Sequence, residues 1–258
     1  MKKHMKLAAL VLAMVSVLSL LTACGGKPGN EEAGSTLTFG TNAEFPPFTF
    51  VSGGEGVVDG YDGIDLCIAK RICEDNDLTP VVENLEFDSL LLALENKQVD
   101  VLIGGMTITE EKQEKVNFSI PYYTATQVMI VPENSEIVSA TDMADKRISV
   151  VQGYTGEVCV QELGYQYSAF KNGSDAILEL LNGKCDVVVI DSATAEKYIE
   201  DNTGLKIVED TGTFEKEEYG IAVPKDDADL LEMINASLQK MMEDGSISEW
   251  EEQYANNG

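Results

Sequence analysis

Histidine and basic residues are scarce in this sequence, and their scarcity excludes several classes of protein. The chain of 258 residues has one histidine, His4, and 18 lysines and arginines against 45 aspartates and glutamates. The net charge of −27 repels a phosphate backbone, which excludes nucleic-acid binding. His4 lies in an N-terminal segment that we expect to be removed, so histidine-based catalysis and histidine metal ligands are excluded too. We predict neither a cofactor nor a metal site.

Paired cysteine motifs are also missing. The five cysteines contain no CxxC spacing, so nothing indicates a zinc site or thiol exchange. Cys67 and Cys73 fall in one predicted helix, about 9 Å apart along its axis. A disulfide needs Cα atoms within about 7 Å, so these two cannot pair. Cys159 and Cys185 are either a disulfide or two buried free thiols.

Only the N-terminus carries a long apolar run. Residues 1–6 include three lysines, residues 7–21 are predominantly apolar, and small residues precede Cys24. The run is shorter than the roughly 20 residues of a membrane-spanning helix. The pattern therefore predicts a secretory signal peptide over residues 1–23, with an uncleaved anchor as the alternative. Its removal leaves 235 residues with a net charge of −30. Residues 25–35 are rich in Gly, Pro and Glu and predict a flexible tether.

The rest of the chain alternates short apolar segments with amphipathic ones, which predicts an α/β fold. Strands are predicted at 36–41, 99–105, 127–131, 148–152, 185–190 and 220–223. Helices are predicted at 64–75, 88–96, 156–163, 175–182, 192–202 and 229–252, the last with a break near Gly245. The continuously apolar strands predict a sheet that is covered on both faces.

One helix–strand unit occurs twice. The segment DSLL at 88–91, followed by Asp100, is similar to the segment DAIL at 175–178, followed by Asp186. The repetition indicates two α/β lobes, with chance similarity of a common unit as the alternative.

Polar residues follow two of the predicted strands. Gly105 and Thr107 lie at the end of the strand predicted at 99–105 and just after it. Asp191 directly follows the strand predicted at 185–190. Ligands of open α/β sheets bind outside the carboxyl ends of the strands. Asp191 either caps the following helix or directs its charge into a cleft. The residues alone thus predict an exported, two-lobed binder of a small polar molecule.

Five segments carry a more specific signal. They are GTNAEFPPF at 40–48, GIDL at 63–66, GMTITEE at 105–111, FSIPYY at 118–123 and YGIAVPK at 219–225. In their order and spacing they resemble the extracellular solute-binding proteins of the polar amino-acid ABC-transporter family, over about residues 36–255. LTAC at 21–24 also resembles the lipobox of bacterial lipoproteins, which implies a diacylglyceryl anchor on Cys24 at the outer face of the cell membrane.

The resemblance implies an overall architecture. We expect a periplasmic-binding-protein-like clamshell of type II, with two crossings between its lobes. The large lobe is expected at 36–121 plus 220–258 and the small lobe at 127–214. The hinges are expected near 122–126 and 215–219. A monomer that closes on its ligand and is recognised by a membrane permease is the implied mode of action.

The resemblance also implies a site for the head group of an amino acid. Asp191 matches the aspartate that binds the α-ammonium, while Gly105 and Thr107 match contacts from the large lobe. Thr155 matches a small-lobe residue that holds the α-carboxylate. Lys112 stands where the family usually has an arginine that clamps this carboxylate, and a lysine lacks the planar fork. A solvated surface charge is the alternative role for Lys112.

A second group of residues is implied around the side chain of the ligand. Phe45 and Phe87 match aromatic walls, with a plain core role as the alternative. Asn42 matches a position that often carries aspartate and contacts the far end of the ligand. Glu44 could restore the charge that Asn42 lacks. Tyr154 departs from the family, which often has Ser or Thr there.

These residues predict an amino-acid-binding protein, with a polar neutral ligand as the first choice and a cationic one as the second. An enzyme of dehydratase type on the same fold is one alternative, for which Glu44 or Glu218 are the candidate acids or bases. A ligand-sensing module for a membrane partner is the other. Without a nucleophile–base pair or histidine, we predict no catalytic residue and no enzyme.

Overall fold

Two main β-sheets organise the chain in the computed structural model, which describes residues 35–256. The predicted signal peptide, Cys24 and the tether up to residue 34 lie outside the described residues. Within residues 35–256, no helix has both the length and the apolar character needed to cross a membrane.

The strands and helices are numbered along the chain. The strands are β1 (Thr36–Thr41), β2 (Glu44–Phe45), β3 (Thr49–Val51), β4 (Tyr61–Asp62), β5 (Thr79–Asn84), β6 (Val101–Leu102), β7 (Val116–Phe118), β8 (Tyr123–Pro132), β9 (Ile148–Val151), β10 (Tyr167–Phe170), β11 (Val187–Asp191), β12 (Leu205–Val208), β13 (Lys216–Tyr219) and β14 (Ala222–Pro224). The α-helices are α1 (Ile64–Asp75), α2 (Leu90–Glu95), α3 (Glu110–Lys115), α4 (Thr155–Glu162), α5 (Gly173–Leu181), α6 (Ser192–Asp201), α7 (Ala228–Asp244) and α8 (Ser246–Asn256). Short 3₁₀ helices cover Phe87–Ser89 and Ala140–Met143.

The first sheet has the strand order β5-β1-β6-β14-β7. Strand β1 is parallel to β5 and β6, and β14 runs antiparallel to β6 and β7. Helix α1 packs on this sheet because its apolar residues recur at helical spacing, and Ile64, Ile68 and Ile72 are all buried. The C-terminal helices α7 and α8 cover α1 and are separated at Gly245, whose left-handed φ of 81° ends α7.

The second sheet has the strand order β10-β9-β11-β8-β12. Its centre is β9 and β11, every residue of which is buried. Helices α4, α5 and α6 pack on this sheet. Successive side chains of a strand point to opposite faces, so the complete burial of β9 and β11 means that both faces are covered there, which explains why these strands are continuously apolar. Each main sheet is therefore the centre of one lobe, and both lobes are α/β.

The repeated helix–strand unit occupies equivalent places in the two sheets. Strand β6 lies parallel to β1 in one, and β11 lies parallel to β9 in the other. A carboxylate precedes each strand: Asp100 Oδ2 accepts from the Thr38 N–H at 2.9 Å, and Asp186 Oδ2 accepts from the Arg147 N–H at 2.9 Å. The same type of hydrogen bond, from a backbone N–H to an aspartate, thus aligns the equivalent pair of strands in both lobes.

The chain passes between the two sheets on neighbouring strands. The first residues of β8 pair with β13 in antiparallel register, from Thr126 opposite Lys216 to Tyr123 opposite Tyr219. Tyr219 is fully buried and packs against the rings of Tyr123 and Phe48. A single apolar cluster runs through these rings into both lobes. The residue boundaries of the lobes and hinges remain predictions.

Predicted and observed elements differ at two kinds of place: where glycines turn the chain, and where a strand is largely exposed. The strand predicted at 99–105 is limited to β6, since Gly104 and Gly105 have φ values of 155° and 58° that turn the chain away from the sheet. Strands β10 and β12 have no fully buried residue, and no apolar alternation predicted them. The four cysteines at 67, 73, 159 and 185 are free thiols.

Gly156 is the position where the packing of α4 on the second sheet is tightest. A Cβ atom there would lie 2.6 Å from the carbonyl oxygen of Val189 and 2.9 Å from Oε1 of Gln127. We expect Gly156→Ala to lower the free energy of unfolding by about 1–3 kcal/mol, because α4 must move off the sheet. Urea unfolding measures the change.

Gly53→Ala is the matched control, since nothing lies within 4 Å of its added Cβ. This variant should be neutral or slightly stabilising. Equal stability of the two variants would contradict the tight packing of α4 on β11.

Candidate ligand-binding site

Asp191 places a buried carboxylate in the cleft between the lobes. It is the last residue of β11 and precedes α6, yet its side chain makes no capping hydrogen bond to that helix. Its carboxylate instead accepts a hydrogen bond from the Tyr219 hydroxyl, and the residue is only 3% exposed. Of the two roles open from the sequence, the structure supports a charge directed into the cleft.

The environment of Asp191 disfavours its charged form. Burial, and next to it the charge of the nearby Glu217 carboxylate, raise the pKa of Asp191 to about 7. The hydrogen bond from Tyr219 opposes the shift by stabilising the carboxylate. A cation placed beside Asp191 would relieve both the burial cost and the repulsion from Glu217.

Thr107 and Thr155 face each other across the cleft, and their hydroxyl oxygens are 2.8 Å apart. The Thr107 hydroxyl donates to Oε2 of Glu217 at 2.6 Å, so the Thr155 hydroxyl is the donor between the two threonines. Oε1 of Glu217 accepts from the Gln127 side-chain amide at 2.6 Å. One polar network thus joins the loop after β6, the start of α4 and strand β13.

Gly105 holds this loop in place. Its N–H donates to Oδ2 of Asp65 at 2.8 Å, and burial raises the pKa of that carboxyl to about 7. A Cβ at Gly105 would lie 2.1 Å from Cε1 of Phe45, and its φ of 58° is left-handed. Only glycine allows the backbone this close to the aromatic ring.

An aromatic group forms the other end of the site. The Tyr154 ring lies edge-on to Phe45 and Phe87, with centroid distances of 5.2 and 4.7 Å. The Tyr154 hydroxyl donates to Oδ1 of Asn42 at 2.9 Å, and the Asn42 amide donates to the Leu85 carbonyl at 2.9 Å. The two side chains that form these hydrogen bonds, Tyr154 and Asn42, are both uncharged.

Six of the eight predicted site residues line one small cavity of about 10 Å³. Tyr154 and Gly104 complete a lining that otherwise consists of Phe45, Phe87, Gly105, Thr107, Thr155 and Asp191. This volume is about that needed by one water molecule. Asn42 contacts the cavity through Tyr154, and Lys112 lies in an adjoining groove of about 410 Å³ that also reaches Phe87 and Thr155.

Lys112 is directed toward the site rather than toward solvent. Its ammonium donates to the Thr107 carbonyl at 3.0 Å. Burial lowers the pKa of Lys112, while the charges of Glu217 and Asp191 act in the opposite direction. The side chain therefore provides a cation close to both threonines of the cleft.

Sequence reasoning missed Glu217 and named two other acids instead. Glu44 and Glu218, the candidates for acid–base catalysis, are both exposed. In β13 the buried Tyr219 and the partly buried Glu217 alternate with exposed Lys216 and Glu218. The two-residue periodicity of a strand was therefore the signal that could have identified Glu217.

Comparisons with known proteins identify the family of the chain. The family model of the bacterial extracellular solute-binding proteins, family 3, matches residues 37–257. A probable histidine-binding protein of Neisseria gonorrhoeae is 34% identical over 87% of each chain. The arginine-binding extracellular protein ArtP of Bacillus subtilis (strain 168) is 30% identical over 94% of this chain and 95% of its own.

Solved structures show the same fold. An ancestral arginine-binding protein bound to glutamine superimposes with a TM-score of 0.78 at 38% identity, over 85% of this chain and 97% of its own. The architecture is thus the two-lobed α/β fold of type II binding proteins, as predicted. The chain belongs to the bacterial extracellular solute-binding proteins, family 3, and is a binding protein rather than an enzyme.

The raised pKa of Asp191 gives a testable pH dependence of stability. An aspartate whose pKa is 3.8 when unfolded and about 7 when folded favours the native state while protonated, so stability falls as pH rises from about 4 to 7. Asp191→Asn has no such charge. We expect its melting temperature at pH 8 to exceed that of the unchanged protein by roughly 2–4 °C or more, with a smaller difference at pH 4.

Asp186→Asn provides a control of opposite sign. The hydrogen bond from Arg147 lowers the pKa of Asp186, so its charge stabilises the fold above pH 4. This variant should melt lower than the unchanged protein at pH 8. A stability difference for Asp191→Asn that does not vary with pH would contradict the assignment.

Proposed function

We propose that this protein binds an α-amino acid with a polar, uncharged side chain between its lobes and delivers it to an ABC importer. The observation that carries the proposal is the buried Asp191 carboxylate beside Glu217. No lysine or arginine of the described part of the chain forms an ion pair with Asp191. A ligand ammonium supplies the missing cation, because buried charges need partners.

The polar network around Asp191 supports an amino-acid head group. The ammonium would lie between Asp191 and Thr107. The carboxylate would lie beside Thr155, at the first turn of α4, with Lys112 as its cationic partner. Helix starts favour anions, since their N–H groups lack partners within the helix.

The aromatic end of the site supports an uncharged side chain. Asn42 and Tyr154 offer an amide and a hydroxyl but no formal charge. The names of the relatives include binders of histidine and arginine, and one structure holds glutamine. The exposed Glu44 lies near Asp175 and Glu86, and this acidic rim makes a cationic ligand the second candidate.

Transport requires that ligand binding changes the shape presented to the permease. A ligand that contacts both lobes at once favours their closure by the difference in its affinity for the two forms. The proposed hinges at 122–126 and 215–219 place Glu217 within a moving segment. We place the protein as a monomer on the outer face of the cell membrane, held by a lipid on Cys24, and mass spectrometry of the membrane-bound protein tests the anchor.

A thermal-shift panel tests the ligand class. The purified protein is unfolded and refolded to remove any carried-over ligand, then heated with each of the twenty amino acids, ornithine and citrulline. A ligand at a hundred times its dissociation constant adds about 2.7 kcal/mol, a rise of roughly 5–10 °C. We expect the largest rise with a polar neutral amino acid and none for Asp191→Asn with any compound.

The outcomes separate the parts of the proposal. A largest rise with arginine, lysine or ornithine would show that the head-group site is correct and the side-chain assignment is wrong. No rise with any amino acid would overturn the proposed function.

Lys112 is predicted to bind the ligand carboxylate. Lys112→Ala should weaken binding of the best ligand by about 10- to 100-fold, the value of a hydrogen bond to a charged group. Lys112→Arg should retain the affinity or improve it, because a guanidinium adds a second parallel hydrogen bond. Isothermal titration calorimetry measures both.

Lys115→Ala is the control from the same helix. Lys115 forms an exposed ion pair with Glu111 at 3.3 Å and should not affect affinity. Equal affinities for the Lys112→Ala and Lys115→Ala variants would assign Lys112 to the protein surface.

A further inference from the structure

The far end of the candidate site is filled by the protein's own Tyr154. The ring is 4% exposed and lies among Asn42, Phe45 and Phe87, the three residues expected to surround the side chain of a ligand. Its hydroxyl uses the Asn42 oxygen that a ligand would otherwise contact. Tyr154 therefore fills the space of the side-chain pocket and also uses the hydrogen-bond acceptor of that pocket.

Tyr154 reaches this place from the opposite lobe. It directly precedes α4, which packs on the second sheet, whereas its three partners belong to segments around the first sheet. Its ring therefore crosses the cleft. When the lobes close on a ligand, the Tyr154 ring and the ligand side chain enter the same space from two sides.

Contacts on both sides of Tyr154 hold its backbone against the other lobe. The Gln152 amide donates to Oδ2 of Asp88 at 2.9 Å, and a Cβ on Gly153 would lie 3.3 Å from the Asp88 Cβ. On the other side, Thr155 contacts Thr107. With its neighbours in these contacts, the backbone of Tyr154 cannot retreat without separation of the lobes.

We propose that Tyr154 is a specificity-determining residue that restricts the ligand to α-amino acids with short side chains. The inference rests on the proposed function and deepens it. The lobes close furthest around a ligand whose side chain ends before the tyrosine ring, such as that of serine or asparagine. A longer side chain keeps the lobes apart and loses the contacts between Thr107 and Thr155.

Removal of the ring should reverse this preference. With a small residue at position 154, the pocket extends to the Asn42 amide and toward the acidic rim of Glu44. The amide suits glutamine, and the rim suits arginine. The proposed head-group contacts at Asp191 and Thr107 are separate from the position that this change alters.

The test is calorimetric titration of the full chain with L-serine, L-asparagine, L-glutamine and L-arginine. We expect Tyr154→Ser to raise the affinity for glutamine or arginine relative to serine at least tenfold. Tyr154→Phe is the matched control, since it keeps the ring and removes the hydroxyl. This control should keep the preference of the unchanged protein for short side chains.

Each outcome decides the inference. An unchanged ratio of affinities in Tyr154→Ser would overturn it and leave the proposed function standing, as would weaker glutamine and arginine binding in that variant. No binding of any of the four compounds by the unchanged protein and both variants would overturn the proposed function and this inference together. The melting temperature of each variant establishes that it folds. If Tyr154→Ser does not fold, Tyr154→Leu, which keeps more apolar surface, is tested in the same way.

Discussion

A buried carboxylate at the end of β11 constrains the rest of this structure. The Asp191 carboxylate is buried away from water and lies beside Glu217. It accepts a hydrogen bond from the hydroxyl of Tyr219, a residue of the strand that joins the lobes. Burial of a charge without a cationic partner is costly, and the ligand ammonium that we propose beside Asp191 would relieve this cost. The cost of folding around Asp191 is thus linked to the affinity of the site.

The polar network and the aromatic cluster connect this charge to both lobes. Glu217 accepts hydrogen bonds from Thr107 of one lobe and Gln127 of the other, while Tyr219 packs against rings that continue each core. A change at the head-group site therefore acts directly on the strands between the lobes. Such a coupling lets a small molecule shift the relative positions of two large bodies.

In the proposed mode of binding, affinity and selectivity are separated along the cleft. The proposed head-group end is built from charges and hydroxyls on strand ends and a helix start, and the fold shared with the family supplies those positions. The side-chain end depends on Tyr154 and Asn42, which satisfy each other's hydrogen bonds. One scaffold can therefore serve several amino acids with few changes, because substitutions at the aromatic end leave Asp191 and Thr107 in place.

The sequence by itself determined the elements with strong local signals. The helical spacing of isoleucines predicted α1 at residues 64–75, and the apolar runs predicted the central strands, as observed. The motifs also predicted the family and six residues that share one cavity. These features follow from periodicity and from patterns read along the chain.

Only the tertiary structure decided which distant groups meet. Glu217 joined the site because β13 pairs with β8, and Tyr154 entered the pocket because its backbone is held against the opposite lobe. The alternation along β13 shows on which face of the strand Glu217 lies, and the place of Tyr154 before a helix shows its local conformation. Neither tells which distant groups these side chains meet. Long-range pairing and packing set the distances between such groups, and those distances determine both the pKa of Asp191 and the space left for a ligand.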